Sequence, residues 1–134
     1  MTAAVQVQTA LAFDFGVKRV GVATGSRFTD SAQPLKSITV DGTARFMAIE
    51  KLITEWEPDA LVIGVPFHPD GAAHEMTGKA RKFGRQLNGR FHLPVFEVDE
   101  RYTSVEAEAS GASDVDSAAA ALILDQFFRE NISS

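Results

Sequence analysis

The fold is decided by residues 11–23, LAFDFGVKRVGVA, in which two short apolar runs flank a basic turn that contains Gly16. The runs at 11–15 and 19–24 predict two β-strands joined by a tight turn, since glycine interrupts the apolar pattern between them. Asp14 stands among aliphatic and aromatic neighbours in the first strand. A carboxylate in so apolar a strand is costly unless it is paired or binds a metal, so Asp14 is the first candidate functional residue.

Hydrophobic periodicity predicts the remaining elements. These are strands at 35–40, 60–65 and 94–98, and helices at 43–56, 76–91, 103–109 and 116–128. The order β-β-β-α-β-α-β-α-α predicts an α/β fold with a mixed five-stranded sheet and helices on both faces. Residues 1–10 lack periodicity and are expected to be a flexible N-terminal segment, with residues 11–130 forming a single domain.

Composition narrows the class of protein. The chain has 134 residues, of which 45% are hydrophobic and 23% charged, as in ordinary globular domains. It has no cysteine, which excludes disulfides and thiolate chemistry. No apolar run approaches the ~20 residues that span a bilayer, and no signal peptide is recognisable, so a cytoplasmic protein without membrane association is expected.

The charges are unevenly distributed along the chain, whose net charge is −5. Between Glu75 and Glu97 there is no acidic residue, and all five charged residues there are basic: Lys79, Arg81, Lys82, Arg85 and Arg90. The segment suits a phosphate-binding surface, with Lys79 and Lys82 as candidate substrate contacts. A solvated helix face explains it equally well.

Three acidic positions are candidates to converge on one site. Asp14 ends the first strand, Asp99 and Glu100 follow the last strand, and Asp116 begins the last helix. Open α/β sheets place their sites at the carboxyl ends of strands. Mg²⁺ and Mn²⁺ prefer oxygen ligands, and such acids support metal-dependent phosphodiester cleavage.

Each acid also has a purely structural interpretation. Asp116 could cap the last helix, Asp99 or Glu100 could pair with Arg101, and Asp14 could bond the Gly16 amide. Likewise, Lys18 and Arg19 could be solvated turn charges. The scattered His68, His74 and His92 form no zinc pattern, and neither a nucleophile elbow nor a Walker loop is present.

Several segments in order resemble the YqgF (RuvX) family, described as Holliday junction resolvases and as pre-16S rRNA nucleases. They are FDFGVKRVGVA (13–23), AQPL (32–35), LVIGVP (61–66), DG (70–71), DERYTS (99–104), AE (107–108), VDSAA (115–119) and IL (123–124). The resemblance covers residues 11–129 and implies an RNase H-like fold.

The resemblance also implies a metal-binding active site. Its catalytic acids would be Asp14, Asp116 and one or both of Asp99 and Glu100, between which strand alternation does not choose. The predicted Mg²⁺ or Mn²⁺ ligands are Asp14, Glu100 and Asp116. Substrate would contact Lys18, Arg19, Arg101 and Thr103.

The predicted function is metal-dependent cleavage of structured RNA, namely a 16S rRNA precursor, by a monomer or homodimer. The alternatives are resolution of branched DNA junctions, a non-cleaving RNA-binding factor in transcription or ribosome assembly, and a nucleotide-binding module. The chain departs from the family between 109 and 115, where family members carry a longer basic segment. The absence of this basic segment would weaken the binding of nucleic acid.

Overall fold

A mixed five-stranded β-sheet forms the centre of the computed structural model, which describes residues 7–28, 31–68, 70–100 and 115–131. The described strands are β1 (Thr9–Phe15), β2 (Val20–Ser26), β3 (Gln33–Ile38), β4 (Ala60–Val65) and β5 (Val95–Asp99). The described helices are α1 (Gly42–Trp56), α2 (Glu75–Phe91) and α3 (Val115–Asn131). None of these three helices is long and apolar enough to cross a membrane.

The strand order, β3-β2-β1-β4-β5, brings three carboxyl ends to one edge of the sheet. β2 is antiparallel to β1 and to β3, whereas β4 runs parallel to β1 and β5 parallel to β4. The ends of β1, β4 and β5 therefore lie together, beside the start of β2. Asp14 pairs there with Gly21, and Val65 pairs with Asp99.

Alternation along β1 separates two apolar layers. Leu11 and Phe13 belong to a core that includes Ile49 of α1 and Phe83 of α2. Ala10 and Ala12, which alternate with them, belong to a second core that includes Ile123 and Phe127 of α3. Asp14 has the same parity as these alanines, so its side chain lies on the α3 face.

The predicted mixed sheet with helices on both faces is confirmed. The boundary predicted at residue 11, however, falls inside β1. Residues 7–10 are not a flexible segment: Val7 is buried, and the amides of Gln8 and Thr9 each donate to Asp59 Oδ2 at 3.0 Å. Residues 1–6 and the predicted helix at 103–109 lie outside the described residues.

Candidate active site

Folding brings three of the predicted acids together at the carboxyl ends of β1 and β5. The side chain of Asp14 hydrogen-bonds that of Glu100, and the charges of Glu100 and Asp116 both act on Asp14. Asp14 belongs to β1, Glu100 follows β5, and Asp116 lies in the first turn of α3. The partner of Asp14 is thus Glu100, not the Gly16 amide.

Asp116 reaches this position because α3 lies directly on β2. A Cβ built on Gly21 would overlap the carbonyl oxygen of Asp116, so the helix start and the strand are in backbone contact. Gly21 is also the cross-strand partner of Asp14. The absent side chain at Gly21 therefore determines how near Asp116 comes to Asp14.

A hydrogen bond next to Gly21 fixes the same helix end. The pairing of β2 with β3 shifts register between Val20 and Val22. The Val22 amide donates to Oγ of Ser117 at 3.1 Å, and Ser117 is fully buried. The start of α3 is thereby attached to the strand that faces Asp14.

Their positions relative to the sheet distinguish Glu100 from Asp99. Asp99 has the parity of Glu97, whose carboxylate pairs with Arg81 of α2 at 3.3 Å on the other face of the sheet. Glu100 follows the end of β5, and its hydrogen bond to Asp14 places its side chain on the α3 face. Gly64 leaves room for it, since a Cβ there would lie 3.2 Å from the Glu100 carboxyl carbon.

The pKa of Asp14 is raised from 3.8 to about 10, and burial of its carboxyl is the largest cause. The hydrogen bond to Glu100 and the negative charges of Glu100 and Asp116 contribute the rest of this shift. At neutral pH the Asp14 carboxyl therefore retains its proton and stays hydrogen-bonded to the Glu100 side chain.

Arg19 provides positive charge beside the acids. Its Nε lies 3.1 Å from Oδ2 of Asp116, with side-chain exposures of 64% and 34%. Asp116 consequently has a charged partner in the β1–β2 turn. Lys18, the neighbour of Arg19 in the turn, is exposed.

The carboxyl groups of Asp14, Glu100 and Asp116 are suitable ligands for a divalent cation. Their side chains are not arranged around a common point. Among the described residues, no group of three His, Asp or Glu side chains is close enough to hold a metal ion. Asp14 shares its proton with Glu100, and Asp116 is engaged by Arg19. Three carboxyl groups, one of them paired with the Arg19 guanidinium, still match the oxygen-ligand chemistry of Mg²⁺ and Mn²⁺.

The remaining candidates lie elsewhere or outside the described part. Lys79 and Lys82 are exposed on α2, which packs on the sheet face opposite to Asp14. Arg101 and Thr103 lie outside the described residues, as does the segment at 109–114. His74 accepts a hydrogen bond from the Met76 amide and caps α2.

Arg45 is a candidate that sequence reasoning missed. It is only 6% exposed, and its guanidinium donates to the carbonyls of Val17 (2.9 Å) and Val40 (3.1 Å). Arg45 therefore ties the β1–β2 turn to α1. Its position in the buried stripe of α1, one turn before Ile49, is the sole signal in the sequence.

This sheet order, with acids at the ends of β1 and β5 and at the start of α3, defines an RNase H-like α/β protein. The chain is similar in fold to RuvC of Thermus thermophilus, solved in complex with a Holliday junction substrate. The TM-score is 0.58 at 14% identity, over 93% of this chain and 96% of that one.

The chain belongs to the RuvX family, whose sequence model, described as "Holliday junction resolvase", matches residues 8–130. A relative from Albidiferax ferrireducens is 60% identical over 94% of this chain and 81% of its own length. One from Paraburkholderia phytofirmans is 56% identical over 89% of this chain and 86% of its own length. Both carry the name "Putative pre-16S rRNA nuclease".

Proposed function

We propose that this protein is a metal-dependent endonuclease that hydrolyses phosphodiester bonds in structured RNA, with the 16S rRNA precursor as its substrate. The observation that carries the proposal is the contact of Asp14 with Glu100. Asp116 lies close enough for its charge to raise the pKa of Asp14, and it also pairs with Arg19. The names of the relatives supply the substrate. Because this substrate is cytoplasmic, we expect the enzyme to act in the cytoplasm.

Asp14, Glu100 and Asp116 are the proposed metal ligands. Bound Mg²⁺ or Mn²⁺ supplies positive charge that lowers the pKa of an attacking water and stabilises the leaving oxygen. For binding, Asp14 gives up the proton that it shares with Glu100. Arg19 then exchanges part of its contact with Asp116 for a phosphate of the substrate.

The proposed substrate contacts are basic and exposed. Lys18 and Arg19 lie in the turn beside the acids, and Lys79 and Lys82 lie on α2. Arg101 and Thr103 are assigned to the same group by the family resemblance. Phosphate contacts of this kind make binding weaken as salt rises.

Cleavage of a precursor 16S rRNA fragment in Mn²⁺ tests the proposal. We expect Asp14→Asn and Glu100→Gln to abolish cleavage, whereas Asp99→Asn, the neighbouring acid of opposite parity, retains most of it. Glu50→Gln, an exposed acid of α1, is the control for loss of one negative charge. Wild-type cleavage no faster than that of Asp14→Asn would leave only a non-cleaving RNA-binding role.

Resolution of four-way DNA junctions is the second candidate, favoured by the description of the matched family. Two symmetric cuts require two active sites, so a resolvase acts as a dimer. Two measurements distinguish the candidates. Analytical ultracentrifugation gives the oligomeric state, and cleavage assays compare a four-way DNA junction with the rRNA precursor. A monomer that cuts the rRNA precursor and leaves the junction intact supports the first.

A further inference from the structure

A groove of about 370 Å³ opens between α1 and α2, next to the β1–β2 turn. Its floor is aromatic and includes Phe15, Phe46 and Phe83, with the rings of Phe15 and Phe83 4.9 Å apart between centroids. Lys79 and Lys82 line its rim. A concave site with an apolar floor and a few polar groups is typical of ligand binding.

The groove is positively charged. Among the described residues, its lining contains three cations, Arg45, Lys79 and Lys82, and no carboxylate. The two ion pairs between described residues, Arg19–Asp116 and Arg81–Glu97, involve none of the three. A negatively charged ligand would therefore meet no repulsion from the lining.

Arg45 retains donor capacity toward this groove. Nε and Nη2 donate to the carbonyls of Val40 and Val17. Among the described residues, Nη1 donates to no acceptor and no carboxylate pairs with the guanidinium. No buried side-chain nitrogen or oxygen in the described chain lacks a hydrogen-bond partner, so Nη1 is accessible to solvent. A nearly buried guanidinium without a counterion is costly, and an anion in the groove would stabilise it.

The groove adjoins the acids across the β1–β2 turn. Phe15, in the floor, follows Asp14 directly, and their side chains point to opposite faces of the sheet. Val17 of the same turn lines the groove, and Arg19 pairs with Asp116. A nucleic-acid strand with one phosphate at the acids therefore reaches the groove by crossing this turn.

We propose that the groove between α1 and α2 binds an unpaired nucleotide of the RNA strand close to the cleaved bond. Its base contacts the partly exposed rings of Phe15 and Phe46, and its phosphate is held by Arg45, Lys79 and Lys82. Aromatic contact with a base combined with cations along the backbone is typical of single-stranded binding. That the bound strand is the one cleaved rests on the proposed function.

Two variants separate charge from shape. The double variant Lys79→Gln/Lys82→Gln removes the rim cations, and Lys36→Gln/Lys51→Gln removes the same charge from exposed positions of β3 and α1 outside the groove lining. Gln86→Trp fills the groove without changing its charge, because Gln86 is exposed and lines it. Arg45 is left intact, since it also holds the β1–β2 turn.

Fluorescence anisotropy measures binding of a labelled RNA hairpin with a short single-stranded extension, in EDTA so that no metal-dependent cleavage occurs. For wild type, an abasic residue at one position of the extension weakens binding about tenfold. The rim variant weakens binding of the intact RNA about tenfold, and the control variant changes it by less than about twofold. In Gln86→Trp the intact RNA binds weakly and the abasic residue has no further effect.

The proposal is overturned if no abasic position matters, if the abasic effect persists in Gln86→Trp, or if the rim and control variants weaken binding equally. Cleavage in Mn²⁺ is measured separately. Groove-dependent binding without any cleavage would retain the groove and reject the nuclease. Cleavage with groove-independent binding would do the opposite.

Discussion

At the scale of single residues, Asp14 is an ionisable carboxyl that is buried beside other acids. Burial and ionisation conflict in a protein without a cation. Burial on the α3 face, the hydrogen bond to Glu100 and two negative neighbours together hold its pKa near 10. An uncompensated charge there would be costly, so the carboxyl remains protonated. A divalent cation would reverse this preference, because it stabilises the ionised form.

The raised pKa of Asp14 predicts how stability depends on pH. The folded protein retains a proton that the unfolded chain releases above pH 3.8, so stability without metal falls as pH rises from 3.8 toward about 10. The slope from this group is at most about 1.4 kcal/mol per pH unit. Asp14→Asn should keep the hydrogen bond and remove this component. Urea unfolding in EDTA between pH 6 and 9 measures it, and equal slopes for both proteins would reject the shifted pKa.

Arg19 is predicted to act on substrate and to contribute little to stability. Its ion pair with Asp116 is exposed, so Arg19→Gln should change the free energy of unfolding by less than about 1 kcal/mol. KM for the precursor RNA should rise about tenfold, because a phosphate contact is lost. Arg81→Gln breaks the other exposed ion pair and is the matched control. An equal rise in KM for both variants would remove the special role of Arg19.

Single residues also show what the sequence could and could not predict. Asp14 was identifiable because it interrupts an apolar strand, and Glu100 because it follows a strand at the same edge. Choosing Glu100 over Asp99 required knowing where β5 ends and which side chain then contacts Asp14. Arg45 was not identifiable, because the apolar pattern of α1 gives no sign that its guanidinium bonds the carbonyls of Val17 and Val40.

At the scale of elements, the decisive contact is that of α3 with β2. Small residues on the α3 face, among them Gly21 and Ala23, let the helix backbone approach the strand. The apolar patterns predicted the strands and helices, including β4 at its observed bounds, because their periods are local properties. The Gly21 contact joins residues 95 positions apart, and local periodicity carries no information about it.

Gly21→Ala should therefore damage both stability and activity. The new methyl group would meet the Asp116 carbonyl and push α3 away, at a cost of about 1–3 kcal/mol. The cleavage rate should fall together with stability, because Asp116 moves away from Asp14. Gly78→Ala, in open space on α2, is the control and should stabilise by up to about 1 kcal/mol. Thermal unfolding and cleavage rates measure both, and an unchanged Gly21→Ala protein would disprove the close contact.

At the scale of the whole molecule, the topology explains why distant acids meet. Three parallel strands end at one edge, and the antiparallel β2 begins there with the turn that carries Lys18 and Arg19. The acids lie on the α3 face, and the cationic groove lies on the α1 and α2 face. The overall charge of −5 is compatible with the proposed RNA binding, because Lys18, Arg19 and the cations of the groove lie around one turn.

Calorimetric titration with Mn²⁺, in two buffers that differ in ionisation enthalpy, measures metal affinity and proton release together. If Asp14, Glu100 and Asp116 hold the metal, wild type should release about one proton per Mn²⁺ near pH 7, and affinity should rise with pH. Asp14→Asn should release none and bind at least about tenfold more weakly. Mn²⁺ affinity unchanged in Asp14→Asn, Glu100→Gln and Asp116→Asn would show that these acids are not a metal site.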